Sequence, residues 1–197
     1  MKHYYSLLIC ALSPPSWWSG ASLTAQTTID VTEPGSLQKK LSQTTELSSL
    51  VITGSLNADD FGALRKTAGI TTLDLSGVEV VAGGSYEGNP YMSEKVETLP
   101  GTMPGYFLFA GELAESLTSI TLPNSVTRLG TRCLQNGGKL TEIHLPSGLS
   151  YVGELSFGWC ESLEAIELPE SIDSLGSSAF EGCKQLAQVE IPGRSAI

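Results

Sequence analysis

The residues that could do chemistry in this chain are concentrated in one stretch of its last third. His144, the second of two histidines, follows Glu142 by two residues and precedes Glu167 by 23. An imidazole beside carboxylates could bind zinc, and with a nucleophile it could catalyse hydrolysis. Trp159 and Cys160 lie in the same stretch. Whether these residues form a site depends on the elements that carry them.

The chain around these residues is a repeat with a period of 23. The interval is kept by leucines, prolines and glycines: Leu117, Leu140, Leu163 and Leu186; Pro100, Pro123, Pro146, Pro169 and Pro192; Gly130, Gly153 and Gly176. The interval of 23 continues toward the N-terminus at Leu47 and Ile70, so residues 47–197 contain six repeats and a partial seventh. Repeats of this length indicate a solenoid, in which each coil buries the apolar side of its neighbour.

Within one repeat, the pattern predicts a short strand followed by a bend and a compact turn. Ile120 and Leu122 alternate with polar residues, as a half-buried strand requires, and Pro123 ends the strand because it lacks an N–H group. Equivalent strands of stacked coils would lie about 4.8 Å apart. We therefore predict a solenoid of short parallel strands, turns and short helical segments, with about 23 residues per coil.

The N-terminal part is predicted to be a helical cap that covers the first coil. In the cap segment, residues 26–46, Ser36 is the predicted N-cap, and Leu37 and Leu41 lie one helical turn apart. This segment is followed directly by the first repeat at Leu47.

A longer helix is predicted between Asn57, a favourable N-cap, and Gly69, a favourable stop. Arg65 lies in its last turn, where a positive charge suits the helix dipole. Its predicted buried face consists of Phe61, Leu64 and Ala68.

A loop insertion is predicted near residues 80–97. The interval between Leu75 and Leu99 is 24 rather than 23, and the residues between them have turn chemistry instead of apolar periodicity. We expect a protruding loop in which Tyr86 and Tyr91 are exposed and can contact a ligand.

The N-terminus predicts export. Residues 1–25 combine Lys2, a short apolar run and a segment ending in Ala25, which is typical of a cleaved signal peptide. The apolar run is too short for a transmembrane helix, so we predict a secreted or cell-surface protein. The net charge of −10 disfavours nucleic acid and anionic lipid as partners.

These patterns resemble the BspA-type leucine-rich repeat proteins, which are common among secreted and surface proteins of Bacteroidetes. The resemblance rests on the "LxxIxLP" strands, on the segments at residues 125–130 and 171–176, and on the "AFxGC" turn at residues 179–183. It implies a leucine-rich repeat fold and a non-catalytic binding module, with some relatives acting as adhesins for host proteins. Leu134 and Gly137 depart from the turn pattern, which usually has Phe and Cys there.

The candidate binding surface is the outward face of the predicted sheet. The positions equivalent to His144 are Asp74, Thr98, Thr121, Glu167 and Glu190. Glu142 projects to the same side as His144, and Glu167 is expected beside His144 on the next coil. Rows of this kind make an extended platform for a protein or glycan partner.

The alternative is a metal-dependent or hydrolytic module centred on His144. A zinc site usually contains more than one Cys or His, and no serine shares the column of His144. We therefore predict no catalytic residue, no metal ligand and no cofactor. A further possibility is that Glu142 and Glu167 favour the imidazolium form, which would make the patch responsive to pH.

Two more features leave alternatives open. Trp159 stands where other coils have Asn136 and Gly182, so it either anchors a partner or folds over the neighbouring turn. Cys160 and Cys183 are one repeat apart and within reach of a disulfide, although buried free thiols are the favoured state.

The last repeat, which begins at Leu186, is incomplete. A repeat stack needs a polar terminal coil to cover its last apolar face. The sequence therefore predicts either self-association through this uncapped coil or a truncated structural fragment without its own ligand.

Overall fold

The computed structural model of the protein describes residues 26–190. The predicted signal peptide and the last seven residues lie outside this range, as does the side chain of Glu190. No helix within residues 26–190 is long and apolar enough to cross a membrane.

Short strands dominate the described part of the chain. They are β1 (Thr27–Val31), β2 (Ser49–Leu56), β3 (Thr72–Val80), β4 (Gly83–Asn89), β5 (Glu94–Thr98), β6 (Thr102–Met103), β7 (Ser119–Thr121), β8 (Arg128–Leu129), β9 (Glu142–His144), β10 (Tyr151–Val152), β11 (Ala165–Glu167), β12 (Ser174–Leu175) and β13 (Gln188–Glu190). Two α-helices, α1 (Leu37–Leu41) and α2 (Ala58–Arg65), and a 3₁₀ helix (Glu112–Glu115) lie between them.

Two parallel sheets run along the stack of coils. The first has the order β1-β2-β3-β7-β9, and the second has the order β6-β8-β10-β12. Partners in neighbouring coils are separated by one full repeat, as Ile120 beside Ile143 and Leu129 beside Val152 show. The predicted leucine-rich repeat solenoid of short parallel strands is confirmed.

The core lies between the two sheets and the turns. The side chains of Leu50, Leu73 and Ile120 on the first sheet are fully buried. In the turns, the rings of Phe157 and Phe180 from successive coils stack 5.1 Å apart. Apolar residues at equivalent positions of successive coils therefore contact each other, which is why the repeat length is constant.

The prediction that Thr98 belongs to the outward column is wrong. β3 pairs directly with β7, so Asp74 lies beside Thr121 and the coil between them contributes no strand to the first sheet. Instead β4 and β5 form an antiparallel hairpin. Its strands satisfy each other's backbone groups, and the Thr98 hydroxyl is buried, bonded to the carbonyl oxygens of Val81 (2.6 Å) and Gly83 (3.0 Å).

The N-terminal segment is only partly the predicted helical cap. It begins with β1, which pairs with β2 at the same interval of one repeat, as Thr27 beside Leu50. Leu37 and Leu41 of α1 are buried as expected. Ser36, the predicted N-cap, makes no capping hydrogen bond. The carboxylate of Asp60 on α2 caps α1 instead.

Helix α2 begins as predicted and ends early. Asn57 accepts a hydrogen bond from the Asp59 N–H at 3.0 Å and forms a capping box with Asp60. Phe61 and Leu64 are buried. The helix ends at Arg65, so the prediction that Ala68 lies on its buried face is wrong, because Ala68 belongs to the exposed segment that leads to β3.

Candidate functional site

The strand face ends in an exposed pair formed by Glu142 and His144. Thr121 lies beside His144, and Ser119 lies beside Glu142, in the register of β7 with β9. The Glu142 Oε1 atom is 3.0 Å from His144 Nε2, and Ser119 Oγ donates to Glu142 Oε2 at 3.1 Å. An exposed pair of this kind contributes at most about 1 kcal/mol to stability, so its groups are available to a partner.

The sheet is interrupted beyond this pair. β11 pairs with β13 in a separate two-stranded ladder, where Glu167 lies beside Glu190, and it does not continue the ladder of β9. The contact of Glu167 with His144 therefore stays a prediction.

One difference at this point is found at the residue that precedes each strand by one position. The hydroxyls of Thr71, Thr118 and Thr141 each bond to a carbonyl oxygen of the preceding coil, at 2.8, 3.0 and 3.2 Å. Glu164 occupies the next equivalent position, and a carboxylate cannot donate this hydrogen bond. This hydroxyl hydrogen bond is therefore missing where the ladder stops. It is not required for pairing, because Ala187 precedes β13 and also lacks a hydroxyl, yet β13 pairs with β11.

The metal-dependent alternative requires a cluster of metal-ligating side chains around His144. Within residues 26–190, no group of three or more His, Cys, Asp and Glu side chains is arranged to hold a metal ion. The three cysteines of this range, Cys133, Cys160 and Cys183, are unpaired. Cys160 Sγ donates to the Leu134 carbonyl oxygen at 3.4 Å, and burial raises the Cys160 pKa to about 12. This thiol is part of the core.

Trp159 folds over the neighbouring turn. Its turn position has positive φ in successive coils, 65° at Asn136, 56° at Trp159 and 74° at Gly182. A Cβ atom at Gly182 would lie 2.7 Å from Cδ1 of the indole, so the ring lies directly on this glycine. Packing therefore explains the half-buried tryptophan, and the sequence signal for it was the glycine at the equivalent position of the next coil.

The prediction that Tyr86 is exposed is wrong. Its side chain is only 7% exposed, and its hydroxyl donates to the Gly105 carbonyl oxygen. The hairpin of β4 and β5 folds back onto α2, where a Cβ atom at Gly62 would lie 2.8 Å from the Tyr86 Cβ. The missing side chain at Gly62 makes room for the tyrosine.

Tyr91 is exposed as predicted. It lies at the turn of the hairpin and is 84% exposed, and Met92 beside it is 76% exposed. Its ring meets that of Phe109 edge-on, with centroids 6.5 Å apart and planes at 72°.

Arg65 is a buried residue whose role the sequence did not reveal. Its guanidinium group donates to the carbonyl oxygens of Glu87, Gly88 and Phe109, and it lies 5.2 Å from the ring of Tyr86. Burial lowers the pKa of Arg65, and Tyr86 and Glu87 oppose that shift. The available signal was its position four residues after Phe61, on the buried face of α2.

Comparison with known proteins gives the family. Residues 105–196 match the family model described as "BspA type Leucine rich repeat region" in six copies. No curated protein matches the chain.

Three solved structures of leucine-rich repeat proteins are similar to this chain. The Bacteroides capillosus protein is 24% identical over 72% of this chain and 88% of its own (TM-score 0.47). The Bacteroides ovatus protein is 16% identical over 85% of this chain, which spans only 31% of that protein (TM-score 0.46). The T. pallidum protein is 31% identical over 39% of this chain and 47% of its own (TM-score 0.33). The family match and the observed solenoid of short parallel strands together identify the chain as a leucine-rich repeat protein, whose residues 105–196 match the BspA-type leucine-rich repeat region.

Proposed function

We propose that this protein is an exported, non-catalytic module that binds a protein or glycan partner at the cell surface or outside the cell. The observation that carries the proposal is the outward face of the five-stranded sheet. There, polar side chains recur in register from coil to coil and end in the exposed pair of Glu142 and His144. The strand-face surface, as defined here, consists of Asp74, Ser119, Thr121, Glu142 and His144.

The shape of the strand-face surface suits a broad contact. Neighbouring strands of a sheet lie about 4.8 Å apart, so five strands span a flat area rather than a pocket for a small molecule. The Asp74 and Thr121 side chains are half-buried in this row, and Glu142 and His144 are exposed. Because the net charge is −10, a neutral or basic partner is favoured over an acidic one.

Export is the second part of the proposal. The support is the sequence of residues 1–25, with a basic start, an apolar run and small residues before Gln26. Expression in a Bacteroidetes host, followed by cell fractionation and N-terminal sequencing, tests it. A mature chain that begins at Gln26 and lies outside the cytoplasm supports export, and an intact N-terminus in the cytoplasm contradicts it.

A binding screen tests the module itself. The chain from residue 26 onward is passed over immobilised fibronectin, laminin and collagen and over a glycan array. The double variant Thr121→Arg, His144→Arg is expected to weaken a positive interaction by about tenfold or more, because two bulky cations interrupt the flat surface.

The matched control is Asp173→Arg, an exposed site next to β12 on the second sheet. It is expected to leave the interaction within about twofold of the parent. Equal losses in the control and the double variant, or no interaction with any probe, would contradict the proposal.

A further inference from the structure

We propose that the turn of the hairpin and the loop beside it form a carbohydrate-binding site. Tyr91 and Phe109 would contact the faces of a sugar ring, and Glu94 and Arg132 would bind its hydroxyl groups. Asn89 holds the backbone of Tyr91 in place by accepting its N–H at 3.0 Å. These five residues are called the hairpin patch below. The inference rests on the proposed binding function, but it names the partner class and places the partner away from the strand-face surface.

Exposed apolar surface is the first observation. Tyr91 and Met92 are the two most exposed large apolar side chains of residues 26–190, and they are adjacent in the chain. Such groups mark interaction sites when they lie together. The Tyr91 ring contacts Phe109 in an edge-to-face pair and is still 84% exposed, so most of its surface is open to a ligand.

A row of aromatic rings continues inward from the exposed tyrosine. Phe109 is followed by Tyr106, with centroids 5.8 Å apart and planes at 65°. Tyr106 lies beside three polar side chains of the hairpin patch, Glu94, Asn89 and Arg132. Burial and a hydrogen bond to Glu94 raise the pKa of Tyr106, so its hydroxyl remains protonated at neutral pH.

The combination of groups selects the ligand. A pyranose presents C–H groups on its faces and hydroxyl groups around its edge, so it needs an aromatic surface beside both donors and acceptors. The exposed Glu94 carboxylate accepts and the half-buried Arg132 guanidinium donates, whereas the buried Asn89 already accepts the Tyr91 N–H at 3.0 Å. Pressing an apolar protein side chain onto Glu94 and Arg132 would desolvate them without new hydrogen bonds, which disfavours a purely apolar protein contact.

The two halves of the hairpin patch are held together before any ligand arrives. The buried guanidinium of Arg65 binds carbonyl oxygens of the hairpin strand at Glu87 and Gly88 and, from the same group, that of Phe109 in the loop. The Tyr86 hydroxyl makes a second connection, to Gly105. A site that is already ordered loses less conformational entropy on binding.

The test uses neutral oligosaccharides of glucose, mannose, galactose and N-acetylglucosamine, on an array and then singly in saturation-transfer NMR. Wild-type protein is expected to bind at least one of them. Tyr91→Ala and Tyr91→Leu are both expected to weaken it by about tenfold or more, and Tyr91→Phe is expected to stay within about threefold. Leu99→Ala, at an exposed apolar residue just after the hairpin, is the matched control and is expected to bind as wild type.

The leucine variant separates the two partner classes, because it keeps apolar area and removes the ring. Binding to fibronectin, laminin or collagen that is lost in Tyr91→Ala and kept in Tyr91→Leu would identify a protein contact and overturn the carbohydrate proposal. Absence of binding to every oligosaccharide would also overturn it. If Thr121→Arg, His144→Arg weakens a protein partner while the Tyr91 variants change nothing, the binding module stands and only this inference fails.

Discussion

The Asp60 carboxylate should be one of the most important polar groups for stability in the N-terminal part of the protein. It is 1% exposed and accepts three backbone hydrogen bonds, from Gly35 at 2.6 Å, Leu37 at 2.9 Å and Asn57 at 3.1 Å. One side chain thus caps both α1 and α2. Replacing it with alanine would leave these three N–H groups without a partner at two helix starts.

The expected cost can be worked from these contacts. A hydrogen bond to a charged group contributes about 1.5–3 kcal/mol, and loss of a helix cap costs about 0.5–2 kcal/mol. Water can reach part of the opened site near Gly35, which is exposed, and this lowers the sum. We therefore expect Asp60→Ala to reduce the free energy of unfolding by about 3–5 kcal/mol, a large part of the usual total.

Urea unfolding followed by circular dichroism measures this loss. Asp59→Ala is the matched control, because the exposed Asp59 carboxylate accepts one hydrogen bond, from Ser85 N–H at 3.1 Å. It is expected to cost about 1 kcal/mol or less. Asp60→Asn keeps one acceptor oxygen and should fall between the two.

Hydrogen exchange locates the effect. The Leu37 amide should lose protection in Asp60→Ala before amides of β7 and β9 do, since each coil of a solenoid contacts only its neighbours. A loss for Asp60→Ala no larger than that for Asp59→Ala would refute the reasoning, and so would unchanged protection at Leu37.

Four further predictions concern single positions. Arg65→Met should lower the free energy of unfolding by about 2–4 kcal/mol and raise amide hydrogen exchange across residues 83–98, because three hydrogen bonds to carbonyl oxygens are lost. Gly182→Ala should lower the free energy of unfolding, measured by thermal unfolding, by about 1–3 kcal/mol, because φ is 74° there and the new Cβ atom would clash with the Trp159 indole. The loss should be smaller when Trp159→Ala is also present. The Cys160 thiol loses its proton near pH 9 in the unfolded chain, whereas burial raises its pKa to about 12 in the native chain. The free energy of unfolding should therefore fall as pH rises through this interval. An equal fall in Cys160→Ala would contradict this cause. Glu164→Thr should raise the unfolding free energy by about 0.5–1.5 kcal/mol, because it supplies the hydroxyl that forms a hydrogen bond to the preceding coil at Thr71, Thr118 and Thr141. An unchanged melting temperature would contradict this expectation.

The repeat architecture could be read from the sequence because its causes are local and periodic. A buried strand residue such as Leu73 lies beside the equivalent residues of the neighbouring strands, Leu50 and Ile120, so one packing requirement recurs from coil to coil. The strand alternation around Ile120 and the bend at Gly130 follow from the same geometry. The outward positions Thr121 and His144 could therefore be predicted as neighbours without a structure.

The hairpin could not be read in this way, because its formation is decided by contacts far apart in the chain. Thr98 is in phase with the repeat, which predicted a strand of the stack. The contacts that prevent this come from α2, where Gly62 accommodates Tyr86 and Arg65 binds the hairpin backbone. Periodicity within one segment contains no information on such pairing, so Tyr86 was predicted to be exposed when it is buried.

The threonines that join successive coils occur along the uninterrupted part of the first sheet. From Thr71 to Thr141, each hydroxyl bonds to the preceding coil, and the strands that follow form one continuous sheet with mostly uncharged outward residues. At Glu164 the bond is absent, the sheet is interrupted, and the next outward residue is the acidic Glu167. Because the break falls immediately after His144, the Glu142 and His144 pair lies at an edge of the flat surface rather than within it. A partner that contacts this pair would therefore approach from the side of the uninterrupted strands, where the side chains are small and polar.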